Sequence, residues 1–146
     1  MNEMQYPAEI RKHRESDYVV RFPGLEGALT GAATLKDAEA EAADCLGSWL
    51  AQAMVDRRPI PAPRKPSRGQ RTIPVPLWIA PKVALYQAMH RMNLSNSELG
   101  RRLGVGETVV RRMLDPDHAT KLANLERALR CAGVKLYLSV GIQDAA

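Results

Sequence analysis

Glu107, Thr108, Arg111 and Arg112 stand in ETVVRRML, residues 107–114. Their spacing places them on one side of a short helix, while Val110, Met113 and Leu114 take the other. Guanidinium groups presented this way do recognition chemistry: an arginine donates two parallel hydrogen bonds to a guanine edge, and threonine or glutamate reads neighbouring bases. Residues suited to catalysis are not grouped. His13, His90 and His118 fall in no HxH or HExxH pattern, and there is neither a GxSxG turn nor a phosphate-binding glycine loop. Cys45 and Cys131 lack metal-ligand spacing and lie among apolar residues, where buried reduced thiols are expected. Glu9 and Asp17 are a carboxylate pair that a hairpin could bring together, but two carboxylates alone make a poor nuclease site. No metal and no cofactor are expected, and the chain is not read as an enzyme.

The stretch around those arginines supplies their support. Ser95 is a good N-cap, and Glu98 three residues on completes a capping box. Leu99 and Leu103 share a face, and Gly104-Val105-Gly106 ends the helix, with Gly104 suited to the left-handed conformation and Val105 to the space between two helices. This is the layout of a helix-turn-helix DNA reader, whose first helix braces on the backbone while its second enters the major groove. Thr108, Arg111 and Arg112 are then the expected base-edge contacts, with Glu107 beside them. Asn96, at the start of the first helix, and Thr120 with Lys121, at the start of a later one, are expected on phosphates. A plain helical hairpin would share the apolar spacing, but it has no need of two adjacent arginines on its exposed face.

The chain has 146 residues and a net charge of +5, unevenly spread. Residues 1–58 hold seven Lys/Arg against ten Asp/Glu; residues 59–146 hold fourteen against six. The basic part suits nucleic acid and the acidic part suits a basic partner. No run of about 18 apolar residues predicts a membrane span, and MNEMQYPAEIRKH is no signal peptide, so a cytoplasmic protein is expected.

In order, Met4–Lys12 and Tyr18–Pro23 suggest strands joined by the polar HRESD loop, and Ala28–Thr34 suggests a third in an antiparallel meander. Pro7 must sit where no backbone donor is needed. Thr34 caps a long helix through about Arg57, with Trp49 expected to supply much of its burial. Residues 57–81 hold seven of the ten prolines and read as a semi-rigid basic linker, whose end, Thr72–Leu77, could add an edge strand. Ala80–Met92 looks helical. Thr120 is positioned to cap a last helix reaching about Ala132, and Val134–Val140 alternates as a strand. That strand has no partner in its own domain. Pairing of Val134, Leu136, Leu138 and Val140 with a second copy would make a homodimer, or a tetramer, and a two-fold dimer also suits a palindromic operator. The expected class is α+β: an antiparallel sheet plus one long helix in residues 1–79, including the Pro-rich segment 57–79, and an all-α helix-turn-helix domain with a terminal dimerising strand in residues 80–146.

With both halves read, the chain resembles the HicB antitoxins of bacterial toxin–antitoxin pairs, in the long form with a C-terminal helix-turn-helix. The resemblance rests on Tyr6-Pro7, Tyr18–Pro23, Leu25, Gly27, Thr30, Thr34-Leu35, the helix Asp37–Leu50 and Ile60–Pro63. It continues through Val75–Leu77, Lys82-Val83, Glu98-Leu99, Arg101-Arg102, His118–Lys121 and the closing segment, and departs from the family pattern at Gly24 and Ala32-Ala33. It implies a partial ribonuclease-H-like N-terminal domain without a working metal site. That domain would bind a HicA-type toxin, a small basic ribonuclease, and the C-terminal domain would bind operator DNA of its own operon. Tyr18, Val20, Phe22 and Leu25 are the candidate toxin contacts. Two other readings stay open at this point: a dimeric repressor whose N-terminal domain senses a small ligand, and a metal-dependent nuclease using Glu9 and Asp17.

Overall fold

The computed structural model describes residues 3–14 and 17–144; Glu15 and Ser16 of the expected hairpin loop lie outside them. Strands β1 (Gln5–Lys12), β2 (Tyr18–Arg21) and β3 (Leu29–Ala32) form an antiparallel meander, and β4 (Arg71–Pro74) adds to the far side of β1, giving the order β3-β2-β1-β4. Residues 5–8 of β1 pair only with β4, and residues 9–12 only with β2. Val75 N–H donates to the Met4 carbonyl at 2.9 Å, so Met4/Val75 is a hydrogen-bonded pair. By antiparallel alternation, Pro7/Thr72 and Gln5/Pro74 are not. Both prolines thus occupy positions whose N–H would point away from the β1–β4 ladder, which is why a strand between two neighbours tolerates Pro7.

Helix α1 (Leu35–Val55) starts at Thr34, whose hydroxyl accepts from Asp37 N–H at 3.1 Å, and crosses one face of the sheet. Alternation along the strands turns Tyr6, Ala8, Val20 and Ile73 toward the face that α1 covers with Ala38, Ala42, Leu46 and Leu50. Close approach depends on small residues: a Cβ on Gly47 would lie 2.9 Å from the Trp78 ring. Trp49 is only half-buried, against expectation. It sits at the helix flank, donates its indole N–H to the Glu26 carbonyl at 2.9 Å and carries the Arg58 guanidinium over its ring. Cys45 and Cys131 are free thiols and half-buried rather than fully enclosed.

The helices α2 (Ala80–Arg91), α3 (Asn96–Leu103), α4 (Glu107–Leu114) and α5 (Leu122–Cys131) build a second core from Leu85, Ala88, Leu99, Val110, Leu125 and Leu129. Helix α2 belongs to both cores: Val83 and Tyr86 pack with the sheet, Leu85, Ala88 and Met89 with the helices. Met92 is exposed just past its end. Four helices stop the same way. A left-handed residue ends each: Arg57, Asn93 and Gly133 follow the C-cap, and Gly104 is the C-cap itself. The next N–H then bonds five residues back, as in Arg58 to Ala53 and Leu94 to Met89, both at 2.8 Å.

One expectation is corrected, and one depends on a second copy. The Pro-rich segment is strapped down rather than a spacer. Tyr6 Oη donates to the Pro61 carbonyl at 2.7 Å, Gln87 Nε2 donates to both Tyr6 Oη and Pro61 O, and Tyr86 Oη donates to the Arg58 carbonyl at 2.8 Å. Residues 134–140 form no strand, since a strand needs a neighbour and the single chain offers none. Val134 and Leu136 rest half-buried on the second core, while Leu138 and Val140 are exposed.

Candidate functional site

The α3–α4 pair follows from local chemistry. Ser95 Oγ accepts from Glu98 N–H at 3.1 Å, and Gly104 closes the helix at φ 72°. Gly106 then caps α4 in extended conformation. Sequence reasoning passed over Gly100. A Cβ there would stand 2.8 Å from the Val105 carbonyl oxygen, so only glycine lets the turn fold back onto α3. Leu99 and Val110 are fully buried at this junction, and Val105 is half-buried beside them.

Glu107, Thr108, Arg111 and Arg112 all project to solvent from α4, as their spacing required. Arg111 donates through Nε and Nη2 to Glu107 Oε1 at 3.2 and 2.8 Å, which holds its guanidinium along the helix. Arg112 makes no salt bridge among the described residues. On α3, Arg101 and Arg102 both turn to Glu98, whose carboxyl they hold below its ordinary range, the Arg101 hydrogen bond being the larger cause. Asn96 lines the same cleft as Glu107 and Arg111.

Thr120 lies elsewhere. Lys121 is the N-cap residue of α5 and makes no side-chain cap bond; the Thr120 hydroxyl instead accepts from Lys82 Nζ at 3.1 Å. The expected cap is therefore absent, and the hydroxyl is committed inside the protein. Lys121 itself is exposed.

Lys82 is the functional-looking residue that motif reading missed. It is 3% exposed, and its amine also donates to the carbonyls of Arg112, Asp115 and His118 at 3.2, 2.6 and 2.7 Å. Those oxygens belong to the last turn of α4 and the loop after it, so α2 grips the carboxyl end of α4 with a cation. Burial lowers the pKa of the amine, and the nearby Asp115 carboxylate works against that. The signal was there: Lys82 falls in helical register with Ile79 and Tyr86, both core residues.

The expected toxin contacts fare differently. Val20, Phe22 and Leu25 are 0, 2 and 3% exposed and form the sheet–helix core, so they offer no surface to a partner. Strand alternation was right, but it could not tell the covered face from the open one. Tyr18 is half-buried and reaches solvent at the end of β2, near Lys12. The Glu9 carboxylate pairs with Arg11 at 3.3 Å, and no group of three or more metal-ligating side chains occurs among the described residues. No helix among them is long and apolar enough to cross a membrane.

Residues 5–84 match a family described as "HicB_like antitoxin of bacterial toxin-antitoxin system". The chain is 36% identical to "Antitoxin HicB 2" of Photorhabdus laumondii over 92% of its own length and 95% of that protein. It is 31% identical to "Antitoxin HicB" of Escherichia coli K12, over 92% of this chain and 98% of the relative. These relatives are antitoxins by name, and none is named for a catalytic activity. A family match across more than half the chain, with relatives aligned nearly end to end, decides the assignment: this protein belongs to the HicB antitoxin family of bacterial toxin–antitoxin systems.

Proposed function

We propose that the protein neutralises a HicA-type toxin through its sheet-and-helix half and represses its own operon through α3 and α4, acting as a helix-turn-helix. The observation that carries the second part is the exposed face of α4. Glu107, Thr108, Arg111 and Arg112 all reach solvent there, on a helix fixed by the Gly100–Val105 contact and the Lys82 grip. Such a face fits a major groove. The first part is supported by family membership and by the acidic balance of residues 1–58, which suits a cationic partner. A sheet with one long helix across it is what a partial ribonuclease-H-like domain requires. Thr108, Arg111 and Arg112 are assigned to base edges with Glu107 beside them, and Asn96 and Lys121 to phosphates; Thr120 is left out because its hydroxyl is occupied. The exposed segment carrying Leu138 and Val140 is assigned to pairing with a second copy, which would satisfy its backbone and bring two reading helices to one operator.

The test uses the full chain, because α2 helps to build the first core. Co-expression with the product of the adjacent reading frame should relieve toxicity and yield a co-purifying complex. Arg112→Ala should relax operator preference at one position per half-site, a loss of about 1–3 kcal/mol of discrimination. Lys121→Ala should weaken binding to all sequences alike. An Arg112→Ala protein with unchanged operator preference would refute the base-edge assignment.

A further inference from the structure

A cleft of about 640 Å³ opens between the two halves, where the end of α1, the end of α2, the start of α3 and the outer face of α4 meet. Arg57, Tyr86, His90, Asn96, Glu107 and Arg111 line it. Its cationic groups come from both halves: Arg57 follows α1 of the sheet half, while Arg111 belongs to the proposed reading helix. Arg57 holds φ at +54°, a conformation that strains an arginine and costs a glycine almost nothing. It makes no salt bridge among the described residues. His90 donates Nδ1–H to the Tyr86 carbonyl at 2.9 Å, which fixes its ring on the cleft wall. Arg111 is steadied by Glu107 within reach of the same space.

We infer that this cleft takes a phosphate group, held by Arg57 from the antitoxin half together with the side-chain amide of Asn96 at the start of α3. This rests on the promoter-binding reading, and the phosphate would then be a backbone phosphodiester beside the groove that α4 enters. Promoter contact is thereby not confined to the helical half. A free phosphate ion shares the chemistry, so the test has an arm for each source.

Arg57→Gly removes the side chain and relieves the backbone, so the variant folds. The full-length wild type and variant are titrated with a labelled duplex of the gene's own upstream region, and with an unrelated duplex, across a salt series. Loss of one phosphate contact lowers the slope of log K against log salt by about 0.9 for each protomer bound, and weakens both duplexes roughly three- to tenfold. Arg57→Lys should recover most of the slope. In the second arm, inorganic phosphate is added without DNA and backbone amide shifts at residues 57, 90 and 96 are followed. A slope that falls in Arg57→Gly assigns the site to DNA. An unchanged slope, with phosphate-induced shifts present in wild type and lost in the variant, assigns it to a free ion. An unchanged slope with no such shifts overturns the inference. If the wild type binds neither duplex, the promoter reading fails by itself and the phosphate arm still decides this one.

Discussion

Helix α1 runs 21 residues across a four-stranded sheet, whereas α3 and α4 have eight residues each and no sheet beneath them. Isolated helices that short do not persist in water. The first half therefore has its reading direction set by backbone ladders and one long apolar stripe. The second depends on a few fixed points: the Ser95 cap, the Gly100 approach, the Leu99–Val110 junction and the Lys82 amine. The polar ties differ too. Neutral hydroxyl and amide groups of Tyr6, Tyr86 and Gln87 strap the proline segment, while a buried cation holds the end of α4. Where a surface must be presented by short elements, point contacts replace extended pairing.

The largest effect is expected at Leu99, which is fully buried at the α3–α4 junction. Leu99→Ala should cost about 3 kcal/mol by transfer and cavity terms. Because α2 serves both cores, urea unfolding followed by fluorescence, which reads Trp49 and Trp78 in the first half, should shift together with helix loss followed by circular dichroism. Two separated transitions would mean that the halves are independent. Next in size is Lys82→Met, which takes the shared donor from three carbonyls and a hydroxyl, the His118 carbonyl among them; a loss of about 2 kcal/mol is expected in the same assay, with weaker operator binding as α4 loosens.

In the first half the corresponding test is alkaline. Burial raises the Tyr6 pKa from 10.0 to about 12, and the Gln87 hydrogen bond only partly offsets it. The unfolded chain therefore releases this proton first. The associated stability is intact below about pH 10 and is lost as pH climbs through 12, on the order of 2 kcal/mol. Tyr6→Phe should remove that part of the fall in urea midpoint between pH 10 and 12. Tyr86 and Lys82 titrate in both proteins, so the difference between the curves isolates Tyr6. The smallest effect belongs to Ser95→Ala, about 1 kcal/mol from the lost cap bond, measured as a lowered midpoint.

Much of this was legible in the residues. Thr34 and Ser95 announce helix starts by side-chain chemistry, Gly104 announces a stop, and Thr72–Leu77 alternates as the edge strand it partly forms. Local signals of that kind survive folding because they act within a few residues. What was not legible depended on distant partners. Val20, Phe22 and Leu25 alternate identically whichever face a helix covers. Thr120 looks like a cap until Lys82, 38 residues away, claims its hydroxyl. The prolines of 57–66 suggest a spacer because nothing local reveals that Tyr6 and Gln87 will tether Pro61. Val134–Val140 has the pattern of a strand, but pairing is a property of two segments, and the second is absent from the single chain.

The placement of Pro7 and Pro74 carries one more consequence. Both stand opposite non-bonded positions of the same ladder, and β2 holds β1 in place, so a slip of β4 by one residue would turn β4 over, bring Pro74 into a bonding position, where it has no hydrogen to give, and turn Ile73 out of the core. The Pro74 ring acts as a lock on alignment: the wrong pairing of this edge is penalised twice over, by the missing hydrogen and by the exposed Ile73, and a newly made chain has one way to close its sheet.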